Sequence, residues 1–137
     1  MKIFFGILFS LLSTAALAGT SAGYGMGGQF SRFDPVVAEH NRSGELFRIQ
    51  GHCQSACTIF LGIKNVCVER SASLLFHAGH DKQRNVSAKW TNHMLSAYNG
   101  RLRSYLVSNH YMDTLAFHTI SGSDMIDKFG YRECPKQ

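Results

Sequence analysis

Only two prolines and one tryptophan occur in 137 residues, and nine acidic residues face fourteen lysines and arginines. Two prolines exclude a proline-rich linker, and no low-complexity tract is present. With 45% hydrophobic and 17% charged residues, the composition is that of a folded chain rather than a disordered one. The length suits one domain, not two. The formal charge is +5, but the basic residues are scattered. The stripe or patch that nucleic acid requires is therefore missing, and no nucleic-acid partner is expected. The excess reads as a solubility feature or a mild preference for acidic partners. Beyond the first residues, no apolar run reaches the roughly 20 positions of a membrane-spanning helix.

Met1-Lys2, the apolar stretch Ile3 to Leu12 and the small-residue sequence Ala16-Leu17-Ala18 follow the three-part layout of a secretory signal peptide. Gly19-Thr20-Ser21 interrupts the apolar run at once, which argues against a membrane anchor. Residues 1–18 are thus expected to be removed, leaving 19–137 as a single domain that is periplasmic or secreted. In an oxidising compartment, the even set Cys53, Cys57, Cys67 and Cys134 favours two disulfides over zinc. Sequence alone leaves three pairings open. A zinc site would want two closely spaced ligand pairs, and only Cys53-x-x-x-Cys57 is close. His77-x-x-His80 lacks a third evident ligand, so no metal and no cofactor are expected.

Element patterns suggest an α/β fold with mainly parallel pairing. Gly19 to Gly28 is glycine-rich and reads as loop. Asp34-Pro35 reads as a helix start, with the helix ending near Asn41 and Ser43-Gly44 as its stop. Leu46 to Ile49 reads as a strand ended by Gly51. Ser55 to Ile63 is apolar and begins with a residue suited to helix capping. Cys67-Val68 and Ser73 to Phe76 read as short strands. Trp90, Met94, Tyr98, Leu102, Tyr105 and Leu106 keep a three-to-four-residue spacing, so Ala88 to Val107 reads as one amphipathic helix, weakened at Gly100. Ser123 to Phe129, closed by Gly130, reads as a last short helix.

This order places Ser55 at a strand-to-helix turn. The first N–H groups of a helix lack intrahelical partners and favour an oxyanion forming beside them. A serine also needs a base, because its free hydroxyl is a weak nucleophile. His77, 22 residues on, stands at the end of the Leu74-Leu75-Phe76 strand and can serve. Against this, such a serine is most often only a cap, and such a histidine is often merely solvated. His52 and His80 lie near enough in sequence to replace or disturb the base.

The stretch Gly51-His52-Cys53-Gln54-Ser55-Ala56-Cys57-Thr58, followed by Cys67-Val68 and Phe76-His77, resembles the active-site region of ClpP-type serine peptidases in the ClpP/crotonase-like superfamily. Within that superfamily it resembles small exported ClpP-like bacterial proteins with a G-x-C-x-S-A-C-T signature more than the ClpP-type peptidases themselves. The resemblance spans about Gly27 to Cys134. It implies a reduced ClpP/crotonase-like fold, a short mainly parallel sheet with flanking helices, lacking the family's first strands. It implies Ser55 as nucleophile, His77 as base and Asp113 as the acid orienting His77, with Asp124 and Asp127 as nearby alternatives. Backbone N–H groups of Gly28 and Ala56 would form the oxyanion hole. It also implies a Cys67–Cys134 bridge and hence Cys53–Cys57 around Ser55. The loop before the glycines has Met26 where the family prefers proline, and the family's ring-assembling insertion shrinks to Ala78 to Ser87, so a ring chamber is not implied. Phe30 and Phe33 are expected to cover a sheet edge or to meet a second copy in a homo-oligomer. The function implied is an exported serine hydrolase, chiefly a peptidase acting on peptides or proteins. The alternative is a silent ClpP-like fold serving as a periplasmic binding or interaction module.

Overall fold

A computed structural model describes residues 19–137. The proposed signal peptide, residues 1–18, lies outside the described residues. The elements run β1 (Gly19–Thr20), α1 (Phe30–Ser43), β2 (Phe47–Ile49), β3 (His52–Gln54), a 3-10 helix (Ser55–Gly62), β4 (Val66–Val68) and β5 (Ser73–Phe76). They continue through α2 (Ala88–Ser96), α3 (Gly100–Ser108), β6 (His118–Ser121) and α4 (Gly122–Asp127). The fold is α/β, with two small three-stranded sheets. One has the order β1-β2-β4 and is parallel throughout. The other has the order β3-β5-β6, with β3 parallel and β6 antiparallel to β5. Among the described residues no helix is long and apolar enough to cross a membrane.

The 3-10 helix is the centre of the core. Its residues Ala56 to Leu61 are buried. Phe60 meets Phe47 and Phe33 at ring distances of 4.6 and 5.3 Å, and Tyr24 edge-on at 5.2 Å. An eight-residue run apolar on every side has no solvent face to maintain, so it can sit between α1, α2 and β5. The C-terminal segment extends the first sheet: Val68 N–H donates to Arg132 O at 2.8 Å, and Cys134 N–H donates to Val68 O at 3.0 Å. Buried Arg48 ties in the same segment, pairing with Glu69 and donating to Pro135 O at 2.8 Å. The disulfides are Cys53–Cys57 and Cys67–Cys134, and no described cysteine is free.

Several element boundaries differ from the sequence reading. Helix α1 starts at Phe30, not Asp34, and carries Pro35 inside it. The proline forfeits only a bond to the exposed Ser31, whose carbonyl water can reach. Phe33 is in the core, not at a free edge, and Phe30 stacks on Trp90 at 5.2 Å. The expected long helix is two, because Asn99 caps α3 by accepting from Leu102 N–H at 2.9 Å. Asn99 also donates to Phe129 O at 2.7 Å, and Tyr131 OH accepts from its N–H at 2.9 Å. These bonds hold the break that the amphipathic stripe conceals.

Candidate functional site

Strand β3 ends at Gln54 and the 3-10 helix begins at Ser55, so the serine is the first helical residue rather than its cap, and no side-chain cap bond forms. Its φ is +56°, the left-handed region. For a residue with a Cβ that conformation costs roughly 1–2 kcal/mol, and such outliers gather at functional turns. Three features hold Ser55 there. The Cys53–Cys57 bridge straddles it with both cysteines fully buried. Its carbonyl accepts from Thr58 Oγ1 at 2.7 Å. Thr58 has one hydroxyl proton, so the 2.6 Å contact with Tyr98 must be donated by the tyrosine OH. Burial pushes the Tyr98 phenol well above its usual range, which keeps that proton in place.

The glycine loop lies directly against this turn. A Cβ on Gly27 would fall 2.9 Å from Ser55 Cβ and 3.5 Å from Ala56 N, so only glycine allows the approach. Gln54 fixes the loop from the strand side, its N–H donating to Gly25 O at 2.9 Å and its Nε2 to Met26 O at 3.0 Å. Gly28, at φ +147°, lines the same cavity as Ser55. Ala56 N–H is at the open first turn of the 3-10 helix, where backbone donors lack intrahelical partners. Gly28 thus shares the cavity with Ser55, while Ala56 follows the serine in the chain.

His77 follows β5 and lines that cavity too, with only 5% of its surface exposed. Its Nδ1 is 2.5 Å from Ala78 O. A carbonyl can only accept, so Nδ1 carries the proton and Nε2 is the basic nitrogen. Nε2 has no hydrogen-bond partner among the described residues. Burial lowers the His77 pKa below 6.5, outweighing the Ala78 hydrogen bond, which raises it. The residue is therefore neutral, and able to accept a proton, further into acid than an exposed histidine. If His77 is the base, the acid limb of a pH–activity profile is expected below pH 6.5. A limb at or above 6.5 would contradict that assignment.

Asp113 is placed elsewhere. Its carboxylate is exposed and meets His110 Nδ1 at 2.9 Å, while the Ala78 carbonyl occupies His77 Nδ1. The offset is a single residue: Thr114 O accepts from Ala78 N–H at 2.8 Å, so the segment does pass His77, but with Asp113 turned outward. Asp127 pairs with Arg70 and Asp124 with Lys128, so neither stands in for it. His52 is exposed and bonded to Gln54 at 2.7 Å, outside the cavity. His80 is at the cavity, its ring roughly parallel to that of His77 at 6.2 Å and its Nδ1 on Asp81 O. No group of three metal-ligating side chains gathers among the described residues.

The cavity measures about 900 Å³. Phe30, Trp90, Met94, Leu115 and Phe117 supply its apolar lining, and Phe117 also packs edge-on against His77 at 5.1 Å. Residues 79–84 form another wall. Gly79 lets this wall reach α2, since a Cβ there would fall 2.3 Å from the Trp90 carbonyl carbon. The sequence reading missed Thr58, Tyr98 and the Ala78 carbonyl as supports, and Lys82 and Arg84 as lining. Only the last pair left a signal, two cations in a polar loop soon after the histidine.

No family model matches the chain, and no curated protein matches it. The geometry itself brings Ser55, His77 and Gly28 to one cavity, with no hydrogen bond between Ser55 and His77.

The strain at Ser55 makes a separable prediction. Ser55→Gly is expected to be about 1 kcal/mol more stable than Ser55→Ala in urea unfolding, because only glycine adopts φ +56° freely. A glycine variant less stable than the alanine variant would show the turn is unstrained.

Proposed function

We propose that the chain is an exported serine hydrolase, chiefly a peptidase, of a reduced ClpP/crotonase-like type. The observation that carries this reading is the left-handed Ser55 beside the Gly27-Gly28 loop, in one cavity with a buried His77 that has Nε2 free. Ser55 Oγ attacks a substrate carbonyl while His77 Nε2 takes its proton. The N–H groups of Gly28 and Ala56 receive the developing oxyanion, a contribution of roughly 10²–10³-fold per donor. The imidazolium then gives its proton to the leaving group, and water, deprotonated by the same nitrogen, releases the acyl group from Ser55. The Ala78 carbonyl does the orienting assigned to a carboxylate in a three-residue relay. Two disulfides accord with an oxidising compartment.

The test is hydrolysis of a panel of fluorogenic esters and peptides by oxidised protein lacking residues 1–18. Ser55→Ala is expected to lose at least about 10³-fold of the rate. Turnover of no substrate by folded, disulfide-intact protein would favour a binding module on the same fold. An equal rate in Ser55→Ala would exclude Ser55 as the nucleophile.

A further inference from the structure

The loop of residues 79–87, of which 79–84 line the cavity, carries two cations. Its tip is a tight turn in which Asp81 Oδ1 accepts from Gln83 N–H and Asn85 N–H, each at 2.9 Å. Asp81 N–H also donates to Asn85 O, and Ser87 N–H to Gly79 O. The one carboxylate lining the cavity is thus turned into the loop's own backbone. Lys82 and Arg84, on the same turn, line the cavity and make no side-chain hydrogen bond or ion pair among the described residues. Each of the other arginines donates to an oxygen. Arg84 also has φ +64°, a conformation that asparagine or glycine would adopt at lower cost. Strain of that kind at a cavity wall is a mark of ligand clamps. Arg84 and His77 line the same cavity.

We propose that Lys82 and Arg84 form a carboxylate-recognition subsite, so that the ligand of this cavity joins an apolar group to a carboxylate. The inference rests on the hydrolase reading only in taking the carbonyl at Ser55 as the ligand's reacting end. The carboxylate has two sources in peptides: an acidic side chain, or the free C-terminus that a carboxypeptidase would recognise. The apolar group sits on Phe30, Trp90 and Phe117. Both side chains are exposed at the cavity rim, where a guanidinium can hold a carboxylate through two parallel N–H donors and the ammonium adds a second positive charge.

Binding to Ser55→Ala separates this subsite from turnover. Trp90 is the chain's one tryptophan and lines the cavity, so its fluorescence reports occupancy. N-acetyl-Phe is compared with N-acetyl-Phe-amide, and N-acetyl-Phe-Glu-amide with N-acetyl-Phe-Gln-amide. In at least one pair the carboxylate member is expected to bind about ten-fold tighter, the size of one charge-assisted hydrogen bond. The pair that discriminates identifies the source. Lys82→Gln/Arg84→Gln is expected to erase the preference and leave the neutral member's affinity unchanged. Equal affinities within both pairs would overturn the proposal, as would a preference surviving the double substitution, or no binding by any of the four. Discrimination in Ser55→Ala without turnover by the wild type would keep the subsite and remove the hydrolase.

Discussion

His77→Ala is expected to lower kcat/KM by about 10²–10⁴-fold, the usual contribution of a positioned general base, while Asp113→Asn changes it by less than about two-fold. The contrast follows from the hydrogen bonds. His77 Nδ1 is on the Ala78 carbonyl, and Asp113 is an exposed partner of His110. A carbonyl fixes the tautomer as a carboxylate does, but it adds no full negative charge to stabilise the imidazolium. The Ala78 bond raises the His77 pKa, but burial outweighs it, so the net direction is downward. Steady-state kinetics on any ester or peptide the wild type turns over reads both variants. Nitrogen-15 NMR of the neutral His77 ring is expected to show the proton on Nδ1. A loss of 10² or more in Asp113→Asn would restore the carboxylate to the relay and contradict the structure at that point.

Removing the Cys67–Cys134 bridge is expected to be the most destabilising single change to a covalent link. The bridge closes a loop of sequence separation 67. The chain-entropy model assigns such a loop about 4 kcal/mol, a large share of the 5–15 kcal/mol typical of a domain. Cys67→Ala/Cys134→Ala also frees the segment that Val68 pairs and Arg48 anchors. A fall in Tm on the order of 15 °C is expected. The Cys53–Cys57 bridge closes a far smaller loop, worth about 2 kcal/mol by the same model, yet its removal in Cys53→Ala/Cys57→Ala loosens the turn that holds Ser55. Its effect is expected to fall more on rate than on Tm. Thermal melts of the two double variants, beside their kinetics, check this inversion. A larger Tm loss from the Cys53–Cys57 pair would contradict it.

The placement of Ser55 was legible because a strand, Gly51 and an unbroken apolar run are local signals that agree with one another. The 3-10 character of that run was not legible, since apolar composition does not distinguish hydrogen-bond periods when every side is buried. Strands β3 and β6 escaped notice for a related reason. His52–Gln54 and His118–Ser121 are short and partly polar, and they exist because Leu74 and its neighbours in β5 offer both edges. The break between α2 and α3 was hidden by an apolar stripe that runs on in phase through Tyr98 and Leu102. Only the Asn99 cap reveals it. At the candidate site, Ser55 and His77 are side chains at the ends of readable elements, whereas the role of the glycine loop was implied only by the resemblance. The Ala78 carbonyl has none, because backbone groups look alike in any sequence. The one-residue offset that brings Thr114 O rather than Asp113 to this region depends on how α3 ends, which sequence order does not fix.

The most direct test of an activated serine is labelling of the oxidised protein with a fluorophosphonate probe, with the adduct mapped by mass spectrometry. Stoichiometric modification of Ser55 is expected in the wild type and in Asp113→Asn, with none in Ser55→Ala and a rate lowered by about 10²-fold or more in His77→Ala. Folded, disulfide-intact protein that leaves Ser55 unlabelled, or that labels equally without His77, would contradict the account.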